Sequence, residues 1–262
     1  MKNVVITGST RGIGFSMAKE FLKAGCNVTL SGRAEALPEA LSAELAPFSR
    51  KYIYVSCNVQ DKASLQRLWN TSLERWGGID IWINNAGQNV PFKYAWETGE
   101  KYTENVIRTN ILGMIYGSQI AAAEMLKQGY GAIYSMEGLG SNNMIQLKTI
   151  LYGTTKCALT YFMKGLAKEL KGTGIIAGRL SPGMVLTDFM KKTPDGEVSE
   201  VISDERFRRI FNILGDKPET VAEFFVPRIL KNTRNGAQIA SLTGRKAAWR
   251  FMTAGFRRDR LI

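Results

Sequence analysis

The chain has 262 residues, of which 45% are hydrophobic and 22% charged, proportions that exclude a disordered or collagen-like chain and suit a globular protein. It has no His and three scattered Cys residues, which excludes histidine metal sites and Ser-His-Asp triads; we predict no metal site and a reducing, cytoplasmic location. The formal charge of +12 is compatible with an acidic partner, but no zinc-finger, KH or RNA-recognition signature accompanies it, so we expect no nucleic-acid partner. No apolar run of about 18 residues occurs, and the opening MKNVVITG is typical of a strand, so neither a membrane span nor a signal peptide is expected.

Short apolar runs alternate with helix-period segments along the chain. The predicted strands are residues 3–7, 26–31, 52–56, 79–83, 132–136 and 175–180. The predicted helices between them include residues 15–24, 62–76, 104–127 and 152–171. This alternation predicts βαβ units and therefore an α/β fold: one doubly wound, Rossmann-like domain over residues 1–262, with a parallel sheet between two helix layers.

A glycine-rich loop joins the first strand to the first helix. It consists of Thr7, Gly8, Ser9, Thr10, Arg11, Gly12, Ile13 and Gly14. Gly8 permits the tight turn, Gly12 lets the backbone approach a pyrophosphate, and Gly14 lets the helix pack closely on the strand. In this strand–turn–helix setting the loop predicts a dinucleotide site with its phosphates at the helix N-terminus, and a plain tight turn is the alternative.

The end of the second strand indicates which dinucleotide is bound. NAD-binding forms of this fold usually have an acid there, whereas this strand ends Leu-Ser-Gly followed by Arg33. Arg11 and Arg33 can both face a 2′-phosphate, so we predict NADP(H) as the cofactor; the alternative is that both are ordinary surface arginines.

Two further motifs follow strands. Asn84-Asn85-Ala86-Gly87 ends the fourth strand, where small residues and amides suit a wall beside a cofactor, although an ordinary turn would look the same. Tyr152 and Lys156 are four residues apart at the start of a helix after the fifth strand, so phenol and ammonium lie on one face. That spacing alone is weak evidence, and its position at the ligand-binding edge of the sheet strengthens it.

Taken together, TGSTRGIG, NNAG, Asn110, Tyr152/Lys156 and the Ser181-Pro182-Gly183 turn resemble the short-chain dehydrogenase/reductase family over essentially the whole chain. The resemblance implies a seven-stranded sheet, a homodimer or homotetramer, and a catalytic Asn-Ser-Tyr-Lys set that includes Asn110, Tyr152 and Lys156. With the glycine-rich loop and Arg33, it implies a cofactor site formed by Asn58, Val59, Asn85, Ala86, Gly87, Tyr152, Lys156, Pro182, Gly183, Val185 and Thr187.

The serine of that set departs from the family pattern. In the family the serine usually lies thirteen residues before the tyrosine, at the end of the fifth strand. Counting back from Tyr152 reaches Leu139, whereas counting forward along the fifth strand from Gly131 reaches Gly138. The loop between that strand and Tyr152 is therefore one residue longer than the family pattern. Ser141 is the nearest hydroxyl and our candidate for the second hydrogen-bond donor. Glu137 or a water in that role, and Ser141 as a mere loop residue, stay open.

The strings SMEGLGS, LYGTTKCAL, SPGMVLTDFM and FNILGDKPETVAEFFVPRI resemble the chlorophyll b reductase branch of the family. That resemblance implies reduction of the 7-formyl group of chlorophyll b or chlorophyllide b to hydroxymethyl by NADPH. In this reaction Tyr152 acts as general acid, the Lys156 cation lowers the pKa of Tyr152 towards neutrality, and Asn110 supports a proton-relaying water. The alternatives are a generic reductase or dehydrogenase for fatty, steroid or sugar substrates, and a nucleotide-binding sensor that lost catalysis.

Two late segments break the regular alternation. Residues 184–215 mix charges with Phe, Met and Ile and predict a mobile lid above the crevice, although a permanently packed helix pair is the alternative. Residues 243–262 interleave aromatic and basic side chains, which favours weak peripheral contact with an anionic membrane. A subunit contact and an arm folded over the active site are the competing interpretations of this tail.

Overall fold

The computed structural model describes residues 1–193, 195–196, 204–254 and 261–262. Its seven strands are β1 (Asn3–Ile6), β2 (Asn27–Gly32), β3 (Tyr52–Ser56), β4 (Ile81–Asn84), β5 (Gly131–Met136), β6 (Ile175–Ser181) and β7 (Gln238–Ala240). All neighbours pair in parallel in the order β3-β2-β1-β4-β5-β6-β7. The predicted α/β fold class is confirmed, and each of the six predicted strands lies within two residues of its observed bounds. β7 has too few residues to stand out as a period-2 pattern.

Ten α-helices lie within the described residues. They are α1 (Gly12–Lys23), α2 (Glu39–Leu45), α3 (Lys62–Trp76), α4 (Glu100–Ile107), α5 (Gly113–Gln128), α6 (Ile150–Glu169), α7 (Asp188–Lys191), α8 (Glu205–Leu214), α9 (Pro218–Lys231) and α10 (Gly244–Met252). The helix predicted over residues 104–127 is divided: a π-helical turn at Arg108–Leu112 separates α4 from α5. π-turns of this kind are frequent at functional sites, and this one contains Asn110.

Local sequence explains the bounds of α3. The Asp61 carboxylate accepts hydrogen bonds from the backbone N–H groups of Ala63 and Ser64, which stabilises the first turn. The helix ends at Gly77, whose φ of 75° is the left-handed conformation that closes a helix with little strain in glycine. The prediction of this helix was therefore correct at both ends.

The core has two layers because the sheet is buried on both faces. Val4 and Ile6 of β1 face one hydrophobic cluster together with α1 and α9, whereas Val5 faces the other cluster with α3, α5 and α6. Every parallel strand needs apolar residues on both sides in such a sheet, which explains the continuous apolar runs in the sequence.

The strand order reverses direction between β1 and β4, where a doubly wound sheet opens a crevice at its carboxyl edge. The chain segments that follow β1, β4, β5 and β6 meet at this edge, and they carry the motifs singled out in the sequence. Among the residues described, no helix is long and apolar enough to cross a membrane. In the same part of the chain, no group of three His, Cys, Asp or Glu residues could hold a metal ion.

Candidate nucleotide and catalytic site

The glycine-rich loop is held so tightly that side chains do not fit at two of its glycines. Gly8 has a φ of 61°, and a Cβ there would lie 2.7 Å from the Cα of Ala86. A Cβ at Gly14 would lie 2.4 Å from Asn85 Nδ2. The close approach assigned to these glycines from the sequence is therefore present, and the wall it is made against is the segment after β4.

Asn85 links the segment after β4 to the glycine-rich loop by hydrogen bonds. Its side-chain amide donates to the carbonyl oxygens of Thr7 and Gly8 at 3.0 and 2.9 Å. The Thr7 hydroxyl accepts in return from the backbone N–H groups of Asn85 and Ala86. Gly87 follows at the rim of the crevice. The Asn-Asn-Ala-Gly motif thus builds the crevice wall and is more than an ordinary turn.

The N-terminus of α1 is free to receive an anion. The helix begins at Gly12, and its N-cap residue Arg11 makes no side-chain capping hydrogen bond. Ser9 ties the loop to β2 by donating to Ile6 O and accepting from Ser31 N, both at 2.9 Å. The first backbone N–H groups of an α-helix have no partner within the helix, and together with the helix dipole they favour a phosphate at this point, so the residues present fit a dinucleotide.

Three cationic side chains border the crevice. Arg11, Arg33 and Lys192 line a cavity of about 150 Å³ together with Gly87 and Phe189. Arg33 also lines an adjacent cavity of about 170 Å³ with Lys101. This positions Arg11 and Arg33 on one cavity, as a shared role in binding a 2′-phosphate requires.

Other residues predicted for the cofactor lie along the same edge. Asn58 and Val59 follow β3, and Val59 packs under Gly113, where a Cβ would lie 2.9 Å from its side chain. Pro182, Gly183, Val185 and Thr187 follow β6, and the Thr187 methyl would lie 3.2 Å from a Cβ on Gly12. Thr10 packs beside Gly32. Ile13, in the first turn of α1, packs against the core.

Tyr152 and Lys156 lie side by side in the first turns of α6. Lys156 is buried, its ammonium donates to the carbonyl oxygen of Met136 at 2.8 Å, and it lies 5.7 Å from the centre of the Tyr152 ring. Burial lowers the pKa of Lys156 from 10.5 to about 8, and the negative charge of Glu137 opposes that shift.

The pKa of Tyr152 moves in the direction opposite to the sequence-based expectation. Burial raises the pKa of the phenol, because the Phe189 ring packs edge-on against it at 5.5 Å and the backbone at Gly138 abuts its hydroxyl. The Lys156 ammonium lies 5.7 Å from the centre of the Tyr152 ring and donates its hydrogen bond to Met136, so burial is the dominant influence on the pKa of Tyr152. Desolvation therefore outweighs the neighbouring cation in this arrangement.

Gly138 is the residue that faces the Tyr152 hydroxyl. A Cβ at this position would lie 2.4 Å from the Tyr152 oxygen and 3.2 Å from Lys156 Cε. The forward count from Gly131 reaches this position, which has no side chain, and its correspondence to the family serine stays a prediction.

The other candidates for the missing hydroxyl are engaged elsewhere in this structure. The Ser141 hydroxyl accepts from Gly138 N at 3.1 Å and donates to the carbonyl of Lys156 at 3.3 Å. Glu137 binds Arg179 and Gln238. Ser141 as a donor to substrate stays a prediction, and it requires the hydroxyl to leave the Lys156 carbonyl.

Asn110 joins the crevice wall to α6. Its side-chain amide donates to Gln88 O at 2.9 Å and to Thr155 Oγ1 at 3.0 Å, and its oxygen accepts from Gln88 N at 2.7 Å. The π-turn positions this buried side chain between the two elements. Its support of a relaying water stays a prediction.

The predicted lid contains α7 and α8. Phe189 in α7 covers Tyr152, and its carbonyl accepts from Asn89 Nδ2 at 3.3 Å. Asp195 accepts a hydrogen bond from Tyr102 of α4. In α8 the Phe211 side chain is fully buried, which anchors that helix. Val201 and Ile202, also assigned to the lid, lie outside the described residues, and lid movement stays a prediction.

The described parts of the tail, α10 and residues 261–262, contact α8 and the segment that follows it. Arg250 of α10 donates to Leu214 O and to Asp216 Oδ1 at 2.7 and 2.6 Å, and it is buried. Asn212 of α8 pairs with the backbone of Leu261 and Ile262. Residues 255–260 of the predicted basic tail lie outside the described residues.

Sequence reasoning missed the partners that hold this site together. Gln88 and Thr155 carried no signal, because ordinary polar residues near a motif are common. Arg179 did carry one: it is the charged residue of strand β6, with apolar residues on both sides of it, and this indicates a buried partner.

Known proteins are similar to this chain in sequence and in fold. The family model for short chain dehydrogenases matches residues 2–198. "Probable chlorophyll(ide) b reductase NYC1, chloroplastic" of Oryza sativa subsp. japonica is 33% identical over 277 residues, covering 99% of this chain and 53% of that protein. "Chlorophyll(ide) b reductase NOL, chloroplastic" of Arabidopsis thaliana is 33% identical over 273 residues, covering 99% and 76%. The chain thus spans about half the length of the first of these relatives.

The structure described as "ElxO with NADP Bound" superposes with a TM-score of 0.79 at 27% identity, covering 91% of this chain and 96% of that one. The fold is a doubly wound α/β domain with a crevice at the carboxyl edge of its sheet, and the comparisons assign it to the nicotinamide-dependent oxidoreductases. The chain belongs to the short-chain dehydrogenase/reductase family. The prediction of NADP(H) as cofactor agrees with the NADP-bound structure.

Proposed function

We propose that this protein is an NADPH-dependent reductase that converts a carbonyl group on a bulky apolar substrate to an alcohol. The observation that carries the proposal is the juxtaposition of Tyr152 and Lys156 with the glycine-rich loop, the free helix N-terminus and two arginines at one crevice. At this crevice a bound nicotinamide cofactor would supply the hydride for the carbonyl carbon, and negative charge would develop on the carbonyl oxygen.

Tyr152 is the proton donor in this proposal. A raised pKa keeps its phenol protonated at neutral pH, which is the form a general acid needs. After the proton leaves, the phenolate lies next to the Lys156 ammonium, whose positive charge stabilises it. Phe189 packs edge-on against the phenol, and we propose that α7 moves aside when a substrate carbonyl approaches Tyr152.

Arg11 and Arg33 are proposed to bind the 2′-phosphate. Both are exposed on the same cavity, and the end of β2 carries no carboxylate that would repel a phosphate. This is the basis for preferring NADPH over NADH.

Exposed apolar side chains lie on the loops that follow β4 and β5, and we propose that they border the substrate, which would favour a large hydrophobic carbonyl compound over a sugar. We call the exposed side chains that support this the apolar rim: Trp96, Met144, Ile145 and Leu147. They lie on the loops after β4 and β5 and are 81%, 54%, 79% and 66% exposed. Lys148 links the two loops, because its ammonium lies 5.3 Å from the ring centres of both Phe92 and Tyr94.

Within this class we propose the 7-formyl group of chlorophyll b or chlorophyllide b as the reacting carbonyl. The names of the similar curated plant proteins and the apolar rim support this choice. A generic reductase for fatty, steroid or sugar carbonyls is the second enzymatic candidate.

The test is oxidation of NADPH by the purified protein with chlorophyllide b, compared with small aldehydes and ketones. We expect chlorophyllide b to be reduced with the highest kcat/KM, and Tyr152→Phe to lower kcat by at least ~100-fold with NADPH affinity nearly unchanged. Turnover of small ketones alone would replace the proposed substrate with a generic one. NADPH binding without turnover of any carbonyl would favour the nucleotide-binding sensor.

We further propose that α10 makes weak contact with an anionic membrane surface. Its outward face carries Trp249, Phe251 and Met252, all at least 50% exposed, next to Arg245. Aromatic and basic side chains together suit the headgroup region of a bilayer. Cytoplasmic location and a homodimeric or homotetrameric state are kept as proposals that accompany the family.

A further inference from the structure

A buried carboxylate lies directly behind the proposed catalytic pair. Glu137 follows the last residue of β5, and its side chain is 1% exposed. Its Oε1 accepts from Arg179 Nη1 at 2.9 Å and its Oε2 accepts from Gln238 Nε2 at 2.6 Å. Such a strongly held anion in a domain interior is expensive to desolvate, so it needs an explanation.

The register of the sheet brings these three side chains together. Arg179 of β6 pairs with Ser135 of β5 on one side and with Gln238 of β7 on the other. Glu137 lies two residues beyond Ser135 and therefore projects from the same face, towards α6. Arginine and glutamine thus meet both carboxylate oxygens.

The carboxylate is coupled to Lys156 through the backbone and through α6. The Lys156 ammonium donates to the carbonyl of Met136, which directly precedes Glu137. Thr160 lies one helical turn after Lys156, and its hydroxyl is 3.1 Å from the Lys156 carbonyl and 3.4 Å from Glu137 Oε1. A shift of Glu137 would therefore also shift the Met136 carbonyl oxygen, which accepts the hydrogen bond from Lys156.

We propose that Glu137 is a positioning residue of the Tyr152–Lys156 pair. Its carboxylate, held by Arg179 and Gln238, fixes residues 136–138 against α6 and supplies the negative charge that keeps the buried Lys156 protonated. The importance of this role for catalysis rests on the proposed function, whereas its effect on Lys156 does not.

The effect of the Glu137 charge on the pKa of Lys156 has a definite direction. Burial already lowers the pKa of Lys156 to about 8, and Glu137 is the charged group that raises it. Tyr152 faces the ammonium from the same helix, and Arg179 faces Glu137 from β6. Removal of the carboxylate charge leaves desolvation unopposed, so the pKa of Lys156 falls further and less ammonium is present at neutral pH.

The experiment is an NMR titration of the free protein with lysine labelled by ¹³C at Cε, in which Lys156 is assigned with a Lys156→Met variant. We expect Lys156 to titrate near pH 8 in the wild type and about one pH unit lower in Glu137→Gln. Glu137→Asp keeps the charge and is expected to restore most of the difference. An unchanged Lys156 titration in Glu137→Gln would overturn the proposal.

Asp216→Asn is the matched control, because Asp216 is also a buried carboxylate, paired with Arg250 at 2.6 Å. It should lower the free energy of unfolding, as loss of a buried partner does, without moving the Lys156 titration. An equal shift of the Lys156 titration in Asp216→Asn would attribute the effect to general loosening and overturn a specific role for Glu137.

If Glu137→Gln does not fold, the double variant Glu137→Gln/Arg179→Leu removes both charges of the pair and is measured instead. Its Lys156 should also titrate below the wild-type value, and an unchanged value would contradict the proposal. Because loss of the Lys156 ammonium should lower kcat, we expect kcat to decline with rising pH from a lower pH in Glu137→Gln than in the wild type. The titration requires neither cofactor nor substrate, so a protein without reductase activity would contradict the proposed function and leave this test intact.

Discussion

Gly138 is the residue in the candidate site where the absence of a side chain matters most. Its Cα faces the Tyr152 hydroxyl, and an added Cβ would lie 2.4 Å from the Tyr152 oxygen, so the phenol occupies the space that a side chain at residue 138 would need. A Tyr ring is rigid and cannot shorten, so any added atom at residue 138 must displace the hydroxyl or the loop.

Gly138→Ala is therefore expected to lower turnover by about 10- to 100-fold, because displacement of a reacting group by as little as 1 Å reduces rates on that scale. The affinity for NADPH, measured by fluorescence titration, should change little. Gly165→Ala on the same helix as Tyr152 is the control, since no heavy atom lies within 4 Å of its added Cβ. A wild-type rate in Gly138→Ala would show that the loop yields and that Gly138 does not determine the position of Tyr152.

The buried Lys156 should make the folded state less stable at neutral pH. Its pKa is about 8 when folded and 10.5 in the unfolded chain, so between these values the unfolded state binds more protons. The penalty is full below pH 8, amounts to about 3 kcal/mol, and disappears as the pH rises through 10.5.

Lys156→Met should consequently raise the free energy of unfolding at pH 7 by about 1–3 kcal/mol, less whatever the hydrogen bond to Met136 contributes, with the gain vanishing near pH 10.5. Urea unfolding at pH 7 and pH 10 measures both values. Lys164→Met, at an exposed position of the same helix, should change stability by less than about 0.5 kcal/mol at either pH. A gain in Lys156→Met that is independent of pH would mean that protonation of Lys156 is not its cause.

Among the secondary-structure elements, α10 differs from an ordinary surface helix because it buries a charged side chain and exposes apolar ones. Arg250 points inward to Asp216 and Leu214, while Trp249, Phe251 and Met252 point outward. The inward contacts of α10 are made to Leu214 and Asp216 and not to Tyr152 or Lys156, so they do not support an arm folded over the active site, whereas contact of the exposed apolar face with a membrane or another subunit stays a prediction.

The variant Trp249→Ser/Phe251→Ser/Met252→Ser should reduce sedimentation with anionic liposomes while the fold is kept. Point changes are preferable to deletion of residues 244–262, since deletion would leave the Asp216 carboxylate without Arg250. Tyr161→Ser, which removes another exposed aromatic ring, should sediment like the wild type. Equal pelleting with neutral and anionic lipids, or no effect of the triple change, would exclude an electrostatic membrane contact and favour a subunit interface.

For the molecule as a whole, cofactor binding should appear as a gain in stability, because a ligand that binds only the folded state raises the free energy of unfolding. NADPH should therefore raise the melting temperature more than NADH at equal concentration. Arg11→Ala/Arg33→Ala should remove most of this difference, since each charged hydrogen bond is worth about 1.5–3 kcal/mol, or one to two decades in affinity.

Arg67→Ala is the control for this measurement, because Arg67 is an exposed arginine on α3 whose contact with Asp61 is 4.0 Å long. Its melting temperatures with both cofactors should match those of the wild type. Equal loss of stabilisation by NADPH and NADH in the double arginine variant would show that these side chains do not distinguish the 2′-phosphate.

The alternation of strands and helices, the glycine-rich loop and the Tyr152–Lys156 spacing were readable from the sequence alone. Each depends on local rules: a strand buried on both faces must be apolar throughout, a tight βα turn needs glycine, and residues four apart share a helix face. These rules were sufficient to predict six strands, the fold class and the crevice at the carboxyl edge.

Only the tertiary structure decided which groups face one another across the site. Contacts between segments far apart in the chain bury the charged side chains of Glu137, Arg179 and Arg250. Such contacts also place Phe189 against Tyr152, and Gly138, which has no side chain, opposite the Tyr152 hydroxyl. The raised pKa of Tyr152 is one consequence: the sequence revealed the neighbouring lysine, but not the burial that outweighs it. Desolvation depends on everything packed around a group, and that packing exists only once the chain has folded.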